Sequence, residues 1–104
     1  MVTFIESFDD FNSIIGSDNY TLIDFTAKWC GPCQRLAPDL EKMAEEYLNV
    51  CSFYKVDVDC NEETCCCCEI TCMPTLILFK NNEIVTKYEG SDINKIKEML
   101  NNNI

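Results

Sequence analysis

The sequence predicts an α/β fold in which a central mixed β-sheet of about five strands is flanked by about four helices. Three observations carry this. Short runs rich in apolar and β-branched residues alternate with segments whose apolar residues recur at helical spacing. The first three strand candidates are separated by such helical segments, as right-handed crossovers between parallel strands require, and the last two are joined by a two-residue turn. A chain of 104 residues, 47% hydrophobic, can pack one core, so residues 1–104 are expected to form a single domain without linker or repeat.

In chain order, residues 2–5 form a short strand candidate. Ser7 then reads as the N-cap of a helix with Asp9 and Asp10 in its first turn and Phe8, Phe11, Ile14 and Ile15 on one face. Gly16 to Asn19 breaks it. Residues 20–27 are nearly continuous in apolar and β-branched types, as in a central strand covered on both faces. A helix follows, with Leu36, Leu40, Met43 and Tyr47 on its buried face and Pro38 expected to kink it. Residues 50–58 read as the third strand and roughly 60–69 as a short helix. Residues 75–80 and 84–88 form a hairpin through Asn81-Asn82, a pair that tolerates positive φ. Ser91 is the expected cap of the last helix, which turns Ile93, Ile96 and Leu100 inward.

The most informative motif is Trp29-Cys30-Gly31-Pro32-Cys33, at the junction of the second strand and the helix after it. Unpaired N–H groups and the positive end of the macrodipole at a helix N-terminus stabilise a thiolate. Cys33 falls one turn further in, near enough to close a disulfide. A C-x-x-C in this setting reads as a redox pair, although the spacing alone also occurs in zinc ribbons.

Composition narrows the field. A net charge of −10 and a pI near 4.2 argue against nucleic acid or an anionic membrane as partner. No apolar run approaches a membrane span, and the first residues lack a signal-peptide pattern, so the chain reads as a complete cytosolic protein. Histidine is absent, which removes Cys-His catalysis and Cys/His zinc sites and leaves cysteine as the strong nucleophile. Nine cysteines are many, but the apolar core and the run Cys65-Cys66-Cys67-Cys68 oppose a secreted disulfide scaffold.

The element order and the pentapeptide, with Asp24-Phe25 before it, Pro38 in the helix after it, Lys55-Val56-Asp57-Val58-Asp59, Met73-Pro74-Thr75 and Glu89-Gly90, resemble the thioredoxin family over essentially the whole chain. Cys60, Cys68 and Cys72 resemble the extra cysteines of its animal-type cytosolic members. Two departures are mild: Asn82 stands where glycine is usual, and Thr26 where many members carry an aromatic residue or serine. The resemblance implies a thioredoxin fold and a protein-disulfide reductase. Cys30 would be the nucleophile and Cys33 the resolving thiol. Asp24 would be a buried general acid/base, its pKa raised by burial, with Lys55 tuning it. From the pattern alone Asp24 could instead lie on a solvated face, and Lys55 could be an ordinary surface lysine. Gly31 and Pro32 would set the redox poise toward reduction. Trp29, Met73, a cis Pro74 and Gly90 would form the substrate-docking surface. The resemblance further implies no bound cofactor, regeneration by thioredoxin reductase with NADPH used indirectly, peroxiredoxin-type and other disulfide-containing protein substrates, and a mainly monomeric state with a cysteine-linked dimer as the exception.

Cys65 to Cys68, flanked by Cys60 and Cys72, depart from the common pattern. They read as inert passengers, as regulatory thiols with Cys72 the best candidate, or as a soft-metal cluster. The rival readings of the whole chain are a scaffold or chaperone module on the same fold, and a thiol or metal sensor built on this cluster.

Overall fold

The computed structural model describes residues 1–104. Its elements are β1 (Thr3–Phe4), α1 (Phe8–Ile15), β2 (Tyr20–Thr26), α2 (Gly31–Glu46), β3 (Cys51–Asp57), α3 (Glu62–Cys67), β4 (Thr75–Lys80), β5 (Glu83–Glu89) and α4 (Ile93–Asn103). The strands form one sheet in the order β1-β3-β2-β4-β5. β1, β3 and β2 run parallel, while β4 is antiparallel to β2 and β5 to β4. This is the mixed five-stranded sheet with four helices that the alternation of periods predicts.

β2 lies in the middle, and residues 21–26 of it are buried throughout. Its side chains alternate between two cores, as strand geometry dictates. Leu22 joins Leu36, Leu40 and Met43 of α2 and Ile96 and Leu100 of α4 on one face. Ile23 and Phe25 join Phe11 and Ile15 of α1 on the other, where Cys65, Cys68 and Ile70 also pack. Asp24, two residues from Leu22, therefore points to the α2 face. The carboxylate of Glu41 ties α2 to the chain just before β1 by accepting from the Val2 N–H at 3.1 Å.

Local chemistry accounts for the ends of the elements. The Ser7 hydroxyl accepts from the Asp10 N–H at 3.1 Å and caps α1 as expected. Asn81 and Asn82 adopt φ of 52° and 67°, the left-handed pair that a two-residue hairpin demands. α2 is one helix of 16 residues that continues across Pro38. The cap of α4 differs from expectation by one residue. Asp92, not Ser91, accepts from the Asn94 N–H at 2.9 Å, and the Asp92 carbonyl accepts the helical bond from Ile96. Both residue types cap well; the Asp92 N–H donates to the Tyr88 hydroxyl at 3.3 Å rather than to a helical carbonyl, so the helix starts after Asp92. α3 is shorter than predicted, starting after Asn61, whose buried side chain accepts from both the N–H and the hydroxyl of Thr64.

Candidate active site

Cys30 is the N-cap of α2, in extended backbone conformation, and its Sγ accepts from the Cys33 N–H at 3.2 Å. The two cysteines are joined as a disulfide with their Cα atoms 5.3 Å apart. Pro32 stands in the first turn, where its missing N–H costs nothing, and no acidic residue shares that turn. Gly31 and Pro32 are exposed, whereas Cys30 and Cys33 are 6% and 1% exposed. Ala27 completes the small cluster around the disulfide, with Val58 and Met73 packed against it. Ala27 also holds the motif in place: its carbonyl accepts from the Cys30 N–H at 3.2 Å and from the Gln34 side-chain amide at 2.8 Å.

Asp24 is 4% exposed, and its Oδ1 has no hydrogen-bond partner. Burial disfavours the charged carboxylate and raises its pKa to about 7, while the positive charge of Lys55 pulls the other way. The solvated-face alternative is thereby excluded. Lys55 is the register partner of Asp24 on β3, but the two form no ion pair. Its ammonium instead sits 4.4 Å from the centroid of the Phe4 ring. The long side chain carries its charge toward water, which the carboxyl of Asp24 cannot reach, so Lys55 acts on Asp24 through its field rather than by contact.

Trp29 is 67% exposed, and its Nε1 donates to Asp59 at 2.8 Å, which rules out a core role. The Met73–Pro74 peptide is cis. Pro74 is buried, and its carbonyl accepts from the Gly90 N–H at 3.0 Å. Gly90 has φ of +154°, at the border of the region that only glycine visits readily. Trp29, Met73, Pro74 and Gly90 thus come from three separate stretches of chain, with Met73 against the disulfide and Gly90 bonded to Pro74. Cys72 is exposed, and its thiol donates to Glu89 Oε2 at 3.3 Å. Asp59 and Glu89 stand in stretches that carry the family resemblance, but the sequence assigns neither a role, because their partners lie 30 and 17 residues away.

The cysteines of α3 do not converge. Cys66 and Cys67 are exposed, whereas Cys65 and Cys68 are half-buried against the second core. Burial first, then the charges of Asp57, Asp59 and Glu62, push the Cys65 thiol up to about 11. Burial, followed by the neighbouring Cys67 and Cys65, pushes Cys68 up to about 12, although Lys87 opposes this. Cys51 is buried and likewise raised by burial to about 12. Nowhere are three or more Cys, Asp or Glu side chains gathered as metal ligands, so the cluster reading finds no set of donors. No helix is long and apolar enough to cross a membrane.

A disulfide closed across one turn at the N-terminus of a helix, seated on a five-stranded mixed sheet, defines a thiol–disulfide oxidoreductase. Residues 2–102 match the Thioredoxin family model. The chain is 41% identical to thioredoxin-1 of Saccharomyces cerevisiae over 100 residues, 96% of each chain. Its structure is similar to that of Plasmodium falciparum thioredoxin, with a TM-score of 0.94 and 35% identity over 99% of this chain and 100% of the other. It is also similar to a chain from a structure of the thiol-resolving mechanism of yeast mitochondrial 1-Cys peroxiredoxin via glutathione/thioredoxin systems. That match has a TM-score of 0.91 and 30% identity over 97% and 94% of the two chains. The chain belongs to the thioredoxin family. It is a protein thiol–disulfide oxidoreductase, and Cys30–Cys33 is its redox-active disulfide.

Proposed function

We propose that the protein reduces protein disulfides by a two-step exchange in which Cys30 attacks, Cys33 resolves and Asp24 carries the proton. The reduced Cys30 thiolate attacks one sulfur of a substrate disulfide, forming a mixed disulfide and expelling the other substrate sulfur as a thiolate. Cys33 then gives its proton to the Asp24 carboxylate and attacks Cys30. This re-forms the Cys30–Cys33 bond and releases the second substrate thiol, so two electrons pass to the substrate. The observation that carries the reading is the buried, unpartnered Oδ1 of Asp24 on the α2 face, with a pKa near 7. A carboxyl of that pKa takes and returns a proton at neutral pH. Lys55 tunes it through space. Gly31 and Pro32 set the poise of the dithiol toward reduction.

Trp29, Met73, Pro74 and Gly90 form the docking surface, on which an extended substrate segment pairs with the backbone beside the cis peptide. The chemistry needs no resident cofactor. NADPH enters through thioredoxin reductase, which returns Cys30–Cys33 to the dithiol. Peroxiredoxin-type proteins are among the substrates, a reading supported by the peroxiredoxin system of the structural relative above. The working state is a monomer in the cytoplasm, and the exposed Cys60, Cys66, Cys67 and Cys72 offer the thiols for an occasional linked dimer. Reduction of insulin disulfides by wild type and by Cys30→Ser tests the proposal. Activity surviving in the variant would defeat it and favour a binding module on the same fold.

A further inference from the structure

Glu89 is the last residue of β5 and faces Thr75 across the β4–β5 ladder. The following residue, Gly90, is bonded to the Pro74 carbonyl, so Glu89 is fixed beside the Met73–Pro74 segment. Its Oε2 accepts from the Cys72 thiol at 3.3 Å and from the Thr71 hydroxyl at 3.5 Å. Two neutral donors therefore hold an exposed negative charge next to the residue that packs on the disulfide. No cation is paired with it: the one salt bridge of the molecule, Lys97–Glu46, lies elsewhere. Lys87, the one cation of β5, shares the face of Glu89 but forms no ion pair with it. Across the site, Asp59 is held in the same manner by the Trp29 indole N–H. The cations of this end, Lys28 beside Trp29 and Arg35 with its guanidinium near Gly31, belong to the Trp29 and α2 side.

We propose that Glu89 is a specificity-determining residue, which favours disulfide substrates carrying Lys or Arg next to the reacting cysteine on the segment that lies along Met73. This rests on the docking surface proposed above. A substrate cation arriving there meets a carboxylate already ordered by Cys72 and Thr71, so less side-chain entropy is lost on pairing than for a free surface glutamate. The same charge discourages acidic flanks, and the net charge of −10 steers basic partners toward the molecule.

The test uses two peptide disulfides identical except for Lys or Glu beside the cysteine, with kcat/KM measured for wild type, Glu89→Gln, Glu83→Gln and Met73→Gly. Glutamine keeps an acceptor for Cys72 and Thr71 while removing the charge. Wild type should prefer the Lys peptide by about three- to fivefold at low salt, the range of an exposed ion pair, and the preference should shrink at high salt. Glu89→Gln should bring the ratio close to one, and Glu83→Gln, at the far end of β5, should keep the wild-type ratio. An unchanged ratio in Glu89→Gln, or an equal loss in Glu83→Gln, overturns the inference. Met73→Gly separates the two layers of the argument. If it slows both peptides while Glu89→Gln leaves the ratio intact, the docking surface stands and the role of Glu89 falls. If it slows neither, the docking surface itself is refuted, and the inference with it.

Discussion

Cys30 caps the N-terminus of α2, accepts a backbone N–H and has no acidic neighbour in the first turn, whereas Cys65 and Cys68 sit in and just after the last turn of α3. Both pairs have the C-x-x-C spacing. The first is set among N–H groups that favour a thiolate, the second near the negative end of a short helix and close to Asp57, Asp59 and Glu62. The second pair is also driven into the core that holds Phe11 and Phe25, which raises both thiols to about 11 and 12. Identical spacing thus meets two opposite settings for a thiolate. Burial raises the second pair most, and the neighbouring charges and helix end add to it.

The largest expected effect separates the pairs outright. Cys30→Ser should lower insulin reduction on the order of a thousandfold or more, because nothing replaces the nucleophile, while Cys65→Ser should leave the rate within about twofold. Asp24→Asn comes next. Loss of the proton acceptor should slow turnover about a hundredfold at pH 7, and the inflection near that pH should vanish from the rate profile of the variant.

The same residue governs a stability term whose sign is opposite to that of an ion-paired carboxylate. The folded protein holds the Asp24 proton up to about pH 7, whereas the unfolded chain loses it near 3.8. Between those values the folded state binds more protons, so stability falls as pH rises and levels off above 7. Asp24→Asn should remove that decline and gain up to ~4 kcal/mol over wild type at pH 8, relative to their difference at pH 4, as read from chemical denaturation. The smallest effect is that of Lys55→Met. Without the lysine charge the midpoint of Asp24 should move upward, seen as an alkaline displacement of the rate profile with no loss of fold.

Much of the fold was legible because its determinants are local. Alternating periods, the Ser7 cap and the Asn81-Asn82 turn each act within a few residues. The single cap that moved, from Ser91 to Asp92, lies where two adjacent residues have the same propensity and a contact with the Tyr88 hydroxyl separates them. The redox pair was legible for the same reason, since spacing, proline and helix start lie within five residues. What escaped depends on contacts across the sheet. The ammonium of Lys55 rests on Phe4 rather than on Asp24, although the residues are register partners. The bonds of Asp59 to Trp29 and of Glu89 to Cys72 are invisible without the fold. The burial of Asp24 was only half legible, because strand alternation leaves open whether its face meets α2 or water.

The contrast between the two pairs is tested most directly by alkylation of the fully reduced protein with iodoacetamide, followed residue by residue by mass spectrometry from pH 6 to 10. Cys30 should be labelled first at neutral pH, and Cys65 and Cys68 should stay largely unlabelled until the pH nears the top of that range. Labelling of Cys65 or Cys68 at pH 7 as fast as Cys30 would contradict the account.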